Sequence, residues 1–186
     1  SVEDLLLFIF EESEEEIAGD FEELQKVDEI PAGDSSGSDF HNHIIGVLTA
    51  IFYPSLINPR KEKEIHDGRK RIDIVFQNAA KTVSFLNYQT QRGASAYIPA
   101  ECKNYSSDPA NPALDQLAGR FSTKRGKFGL LICRKFDNKN LFIQRCKDTA
   151  QDGRGFIVPL DADLKTLLGF RGKRDFKSIY IFLEER

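Results

Sequence analysis

Three observations predict an α/β fold, a mixed sheet of about five strands with helices on both faces. Along the second half of the chain, apolar runs of strand and of helix periodicity alternate. An Asp67-Gly68 pair separates two extended runs, which is the signature of a hairpin and adds antiparallel strands. The run "KFGLLICRKF" is continuously apolar, as strands buried on both faces of a sheet are.

The elements follow in order. "VEDLLLFIFEESEEEIAGDFEELQKVDEI" sets Leu5, Leu6, Phe8, Ile9, Ile17, Phe21, Leu24 and Val27 at roughly helical spacing among acids, which predicts one or two helices broken near Gly19. "PAGDSSGSD", residues 31–39, reads as a linker of turn residues. A helix capped by Ser38 or Asp39 carries "FHNHIIGVLTAIF" until Pro54 stops it. "KEKEIHDGRKRIDIVFQ" is the hairpin, with Ile72, Ile74 and Phe76 on one face of its second strand and Arg71, Asp73 and Val75 on the other. Residues 77–96 form an irregular connection with a short helical piece, and "YIPAECKNY" is the third strand. Asn111-Pro112 starts the helix "ALDQLAGRFSTKRG" with proline at its first position. After "KFGLLICRKF" come the helix "NKNLFIQRCKDTAQ", the strand "GFIVPL", a helix "DADLKTLLGF" capped by Asp161 or Asp163, and a closing helix "DFKSIYIFLEER". The chain divides into an acidic helical arm with its linker, residues 1–37, and an α/β body, residues 38–186.

With 186 residues, 40% hydrophobic and 30% charged, the chain suits one globular domain with an appendage. No apolar run approaches the roughly 18–20 residues that span a bilayer, and the six-residue "LLLFIF" is followed by acids, unlike a signal peptide. Cys102, Cys133 and Cys146 have no CxxC spacing and are read as reduced thiols of a cytoplasmic protein. The lack of methionine is read as a processed chain or a domain from a longer one. The net charge of −3 hides an asymmetry: fourteen of the 29 acids and one of the 26 bases fall in residues 1–39, a balance of −13 that leaves +10 for the rest. A basic body suits a polyanion, and the acidic arm could fold back over the same surface or simply form a solvated helix.

Chemistry concentrates in "AECK". Residues i and i+2 of a strand share a face, so Glu101 and Lys103 project together while Ile98, Ala100 and Cys102 pack behind them. If the hairpin strand is the neighbour, Asp73 converges on Glu101, and two such carboxylates repel unless a cation lies between them. Hard oxygen ligands suit Mg²⁺, and Lys103 would orient or help deprotonate a water aimed at phosphorus, a metal-assisted hydrolysis. Two plainer readings stand beside this one. Glu101 and Lys103 could be a surface ion pair on an edge strand, and Asp73 could pair with Arg69 or Arg71. His41, His43 and His66 form no HxxxH or HExxH site, and no P-loop or GxGxxG is present.

Asp73 in "GRKRIDIVF", followed 28 positions later by "AECK", resembles the PD-(D/E)XK nuclease superfamily of restriction endonucleases and junction resolvases over roughly residues 38–160. The resemblance implies a restriction-endonuclease-like core and metal-dependent hydrolysis of DNA, in restriction and phage defence or DNA processing. It implies Asp73, Glu101 and the backbone carbonyl of Cys102 as ligands of Mg²⁺, with Mn²⁺ as a substitute, and Lys103 as the residue serving the water. Family members often carry a Gln on the next helix, which implies a role for Gln116 toward the water or the phosphate. Many also carry an acid in the first core helix, and "FHNHIIGVLTAIF" has none; Asp39, His41 and His43 are the accessory candidates. Expected partners are DNA and a homodimer or larger defence complex, with no membrane.

Arg69, Lys70 and Arg71 flank the hairpin, and Arg120, Lys124 and Arg125 follow the Gln116 helix; both clusters suit phosphate, which gives affinity and register without sequence readout. The competing expectation is a nuclease-fold module without turnover, serving in DNA binding or assembly.

Overall fold

The computed structural model describes residues 24–65, 70–80, 84–91, 96–106, 110–123 and 125–186. These form a five-stranded sheet in sequential order. Strands β1 (Leu56–Ile65) and β2 (Lys70–Asn78) pair antiparallel through Ile65↔Lys70, as the Asp67-Gly68 signal requires. Strand β3 (Tyr97–Lys103) joins β2 antiparallel, and β4 (Phe128–Cys133) and β5 (Phe156–Leu160) extend the sheet in parallel. The expected α/β layering with a mixed sheet is therefore what the chain builds.

Helices cover both faces. The crossovers β3–α3–β4 and β4–α4–β5, with α3 (Ala110–Ala118) and α4 (Lys139–Gln151), step in the same direction, so one handedness puts both helices on one face. There Leu114, Leu117, Leu131, Cys133, Phe142 and Ile157 form the smaller core. The opposite face packs α1 (Gly37–Phe52), α2 (Phe85–Gln91), α5 (Asp163–Gly172) and α6 (Phe176–Glu184) over Ile74, Phe76, Ile98, Ala100, Leu130, Ile132 and Leu160. Among the described residues, no helix is long and apolar enough to cross a membrane.

Three local expectations shift. Helix α3 begins at Ala110, so Pro112 sits inside the first turn, where its missing amide is still tolerated, and the helix ends at Ala118, well before Gly126. Asp163 opens α5, and Asp161 reaches forward to accept from its amide at 3.3 Å. The segment read as a linker is tied down. Gly33 N donates to the Asn104 carbonyl at 2.8 Å and Asp34–Ser36 makes a 3-10 turn leading directly into α1, while Val27, ahead of the linker, enters the main core. The expected helices within residues 1–23 lie outside the described residues.

Candidate active site

The site forms where β2 and β3 part. Their ladder runs from Gln77↔Tyr97 to Ile74↔Ala100 and stops. One residue further, the Asp73 side chain replaces a ladder partner: its Oδ2 accepts from the Cys102 amide at 2.9 Å. An extended residue points its N–H and C=O to the same side, so the Cys102 carbonyl faces the gap that β2 leaves. Ala100 and Cys102 belong to the core on the α1 side, as alternation demands, and Glu101 and Lys103 face α3.

Glu101 is 0% exposed and Lys103 only 9%. Since β3 is the central strand, the surface-pair reading of these two residues is excluded. Lys103 Nζ donates to Glu101 Oε1 at 3.0 Å and to Gln116 Oε1 at 2.9 Å, and Gln116 Nε2 donates to the same Glu101 Oε1. The three side chains close a triangle on one carboxylate oxygen. The other oxygen, Glu101 Oε2, is buried with no hydrogen-bond partner. Burial raises the Glu101 carboxyl above its ordinary range, the Asp73 charge raises it further, and Lys103 and Arg120 oppose the rise. Asp73 thus lies near enough to Glu101 for its charge to disfavour ionisation there.

The donor set fits a small hard cation. Among the described residues no group of three or more His, Cys, Asp or Glu side chains gathers, and the two carboxylates at this strand end are Asp73 and Glu101. Mg²⁺ takes one or two carboxylates and keeps several waters, and the unpartnered Glu101 Oε2 is a buried oxygen suited to it.

The accessory candidates separate. His41 Nε2 lies 3.9 Å from Asp73 Oδ2. His43 turns away, its Nε2 2.9 Å from the Leu24 carbonyl oxygen, and Asp39 is exposed on the first turn of α1. Arg120 is near enough to act on Glu101, and Arg125 is tied to the Arg120 carbonyl at 2.9 Å. Arg69, Lys124 and the side chains of Lys70 and Arg71 lie outside the described residues. Sequence reasoning missed Asn104 and Arg134. Asn104, 6% exposed, donates to the carbonyls of Pro31 and Gly33 at 3.0 Å each, directly after Lys103. Arg134 Nη1 donates to Ile30 O at 2.5 Å and Asn104 Oδ1 at 3.2 Å. Neither residue carries a pattern that a single chain would reveal, because their partners lie 71 or more positions away, except Asn104 with Arg134 itself.

Comparison with protein-family models, with curated proteins and with solved structures found no match.

Proposed function

We propose that the chain is a metal-dependent DNA endonuclease with a restriction-endonuclease-like core, of the PD-(D/E)XK type. The observation that carries this reading is the buried Glu101–Lys103–Gln116 triangle at the point where Asp73 bridges to β3. A merely structural ion pair does not need a buried carboxylate oxygen left without a donor, since that costs about 1–3 kcal/mol.

Asp73, Glu101 and the Cys102 carbonyl would hold Mg²⁺, or Mn²⁺ in its place, which when bound supplies Lewis-acid polarisation of a phosphoryl oxygen. Lys103 is held by Glu101 and Gln116 in one orientation, with one of its three N–H donors left to aim at a water or a phosphate oxygen. Its task is to hold the attacking water in line and to assist its deprotonation. Gln116 fixes Lys103 and Glu101 relative to one another. Arg69, Lys70, Arg71, Lys124 and Arg125 supply phosphate contacts, and the buried free thiols Cys102, Cys133 and Cys146 accord with a reducing, cytoplasmic setting.

Plasmid cleavage with Mg²⁺ tests the reading. Asp73→Ala, Glu101→Ala and Lys103→Ala should each lower the rate by at least about 10²-fold, the ordinary worth of a positioned acid–base group, and EDTA should abolish it in the intact protein. Full activity in folded Lys103→Ala protein would sink the assignment.

A second reading, a DNA-binding or assembly module without turnover, is favoured by one observation. The run "FHNHIIGVLTAIF" lacks the acid that many members of that superfamily carry in their first core helix, and His41 stands 3.9 Å from Asp73 there. Salt-sensitive DNA binding with no Mg²⁺ or Mn²⁺ binding in a metal titration would select it over the enzyme.

A further inference from the structure

The basic turn after α3 holds an arginine whose buried Nε has no hydrogen-bond partner among the described residues. Past Ala118 the helical winding continues: Gly119 N donates to Asp115 O at 2.9 Å, Arg120 N to Leu117 O at 2.9 Å, and Phe121 N to Ala118 O at 3.1 Å. Residues four apart share a helix face, so Arg120 stands one turn beyond Gln116 on the stripe that reaches Glu101. Its charge is felt at Glu101, yet the two form no ion pair.

Arg120 Nε is buried and has no hydrogen-bond partner. Other arginines of this chain are engaged. Arg134 donates to Ile30, Asp28 and Asn104, and Arg154 pairs with Asp115 at 2.6 Å. Arg171 Nε donates to the Ala50 carbonyl at 3.0 Å, and Arg186 pairs with Asp163 at 3.3 Å. Buried donors are nearly always satisfied, and leaving one unmet costs about 1–3 kcal/mol.

The turn is also held in place. Arg125 Nε donates to the Arg120 carbonyl at 2.9 Å, Arg125 N to Ser122 Oγ at 3.1 Å, and Ser122 N to Gly126 O at 3.2 Å. The Phe121 ring is wedged against two glycines: a Cβ on Gly155 would lie 2.4 Å from the ring, and one on Gly129 3.1 Å. Arg120 is thus presented on a rigid turn, and its planar fork matches two oxygens of a phosphate group.

We propose that Arg120 is a phosphate-binding residue of the same site, forking onto a phosphate of the substrate strand beside Glu101, Lys103 and Gln116. The inference rests on the nuclease reading for the identity of the polyanion. A bound phosphate would meet the donor that the fold leaves open.

The test is binding of a short DNA duplex in EDTA, by fluorescence anisotropy, from about 50 to about 200 mM salt. Arg120→Gln should weaken binding roughly tenfold at the low end and reduce the slope of log K against log salt by about one, with Arg120→Lys recovering the slope. Arg154→Gln, which removes an exposed arginine already paired with Asp115, should leave the slope unchanged. Thermal stability of Arg120→Gln should hold or rise, because an unmet buried donor is removed. A wild-type slope in Arg120→Gln overturns the inference, and so does a loss of stability with that slope unchanged. If the wild type binds DNA with the predicted slope change but never cleaves it, the catalytic reading fails while the phosphate contact stands; if it binds no DNA, both fail.

Discussion

Glu101 shows how one residue can be costly to the fold and necessary to the site. It is fully buried, it accepts two donors on one oxygen and none on the other, and its carboxyl is raised by burial above 4.5. A raised folded-state pKa contributes stability that is fully present below 4.5 and is lost as pH rises through the folded value. In EDTA, wild-type stability minus that of Glu101→Gln should therefore fall as pH rises from below 4.5 to neutrality, whatever the offset between the two proteins. Urea titrations at several pH values measure it; a difference that grows with pH would mean that Lys103 outweighs burial. Two buried thiols point the same way. Cys146 is pushed up to about 12 by burial, and Cys102 is pushed well above its ordinary value by burial and then by the Asp73 and Glu101 charges. Alkylation by iodoacetamide at neutral pH should proceed at these two positions only as fast as the native protein opens.

At the scale of elements, the site depends on two strands separating and on one turn staying rigid. The β2–β3 ladder ends at Ile74↔Ala100, and the Asp73 carboxylate holds the Cys102 amide beyond it. The rigid turn rests on Gly155, whose φ of +129° and contact with Phe121 both exclude a side chain. Gly155→Ala should destabilise the protein by about 1–3 kcal/mol through strain and overpacking, and should weaken DNA binding by moving the turn that carries Arg120. Chemical denaturation beside the anisotropy assay would separate the two effects. Unchanged stability would show that Phe121 yields without cost.

At the scale of the molecule, the described part of the N-terminal segment belongs to the body. Gly33 N donates to the Asn104 carbonyl at 2.8 Å, Arg134 spans Asp28, Ile30 and Asn104, and Asp28 pairs with Lys165. This strap meets β3 at the residue after Lys103, so it sets where the strand ends. Arg134→Ala should lower stability by about 1–3 kcal/mol, since it leaves the Asn104 amide oxygen and the Ile30 and Asp28 carbonyls short of donors, and it should lower activity through Lys103. Deleting residues 1–36 removes Val27 and the strap together and should destabilise strongly, which makes it a poor test of charge. Deleting residues 1–23 removes ten acids and no base. If the acidic arm competes with phosphate, the shorter truncation binds DNA more tightly at low salt with unchanged thermal stability, and the gain shrinks as salt screens exposed charges. Unchanged affinity at low salt would show that the arm does not cover the site.

The sequence by itself determined the layered architecture, because strand and helix periods, the Asp67-Gly68 turn and the apolar β4 are local properties of consecutive residues. It also placed Glu101 and Lys103 on one face of β3 and Asp73 on the opposite face of its strand from Ile72, Ile74 and Phe76, since alternation reaches that far, whereas Gln116 was implied only by the resemblance to the nuclease superfamily. Three matters waited for the tertiary structure. The Asp73 carboxylate binds the Cys102 amide, the stretch read as a linker is fastened to Asn104 at Pro31 and Gly33 and runs through a 3-10 turn into α1, and only His41 among the accessory candidates approaches Asp73. Each depends on contacts between residues distant in the chain, and such contacts are set by how the layers pack. The turn-forming composition of "PAGDSSGSD" favours a loop in either case; buried Asn104 and the reach of Arg134 decide that this one is fastened.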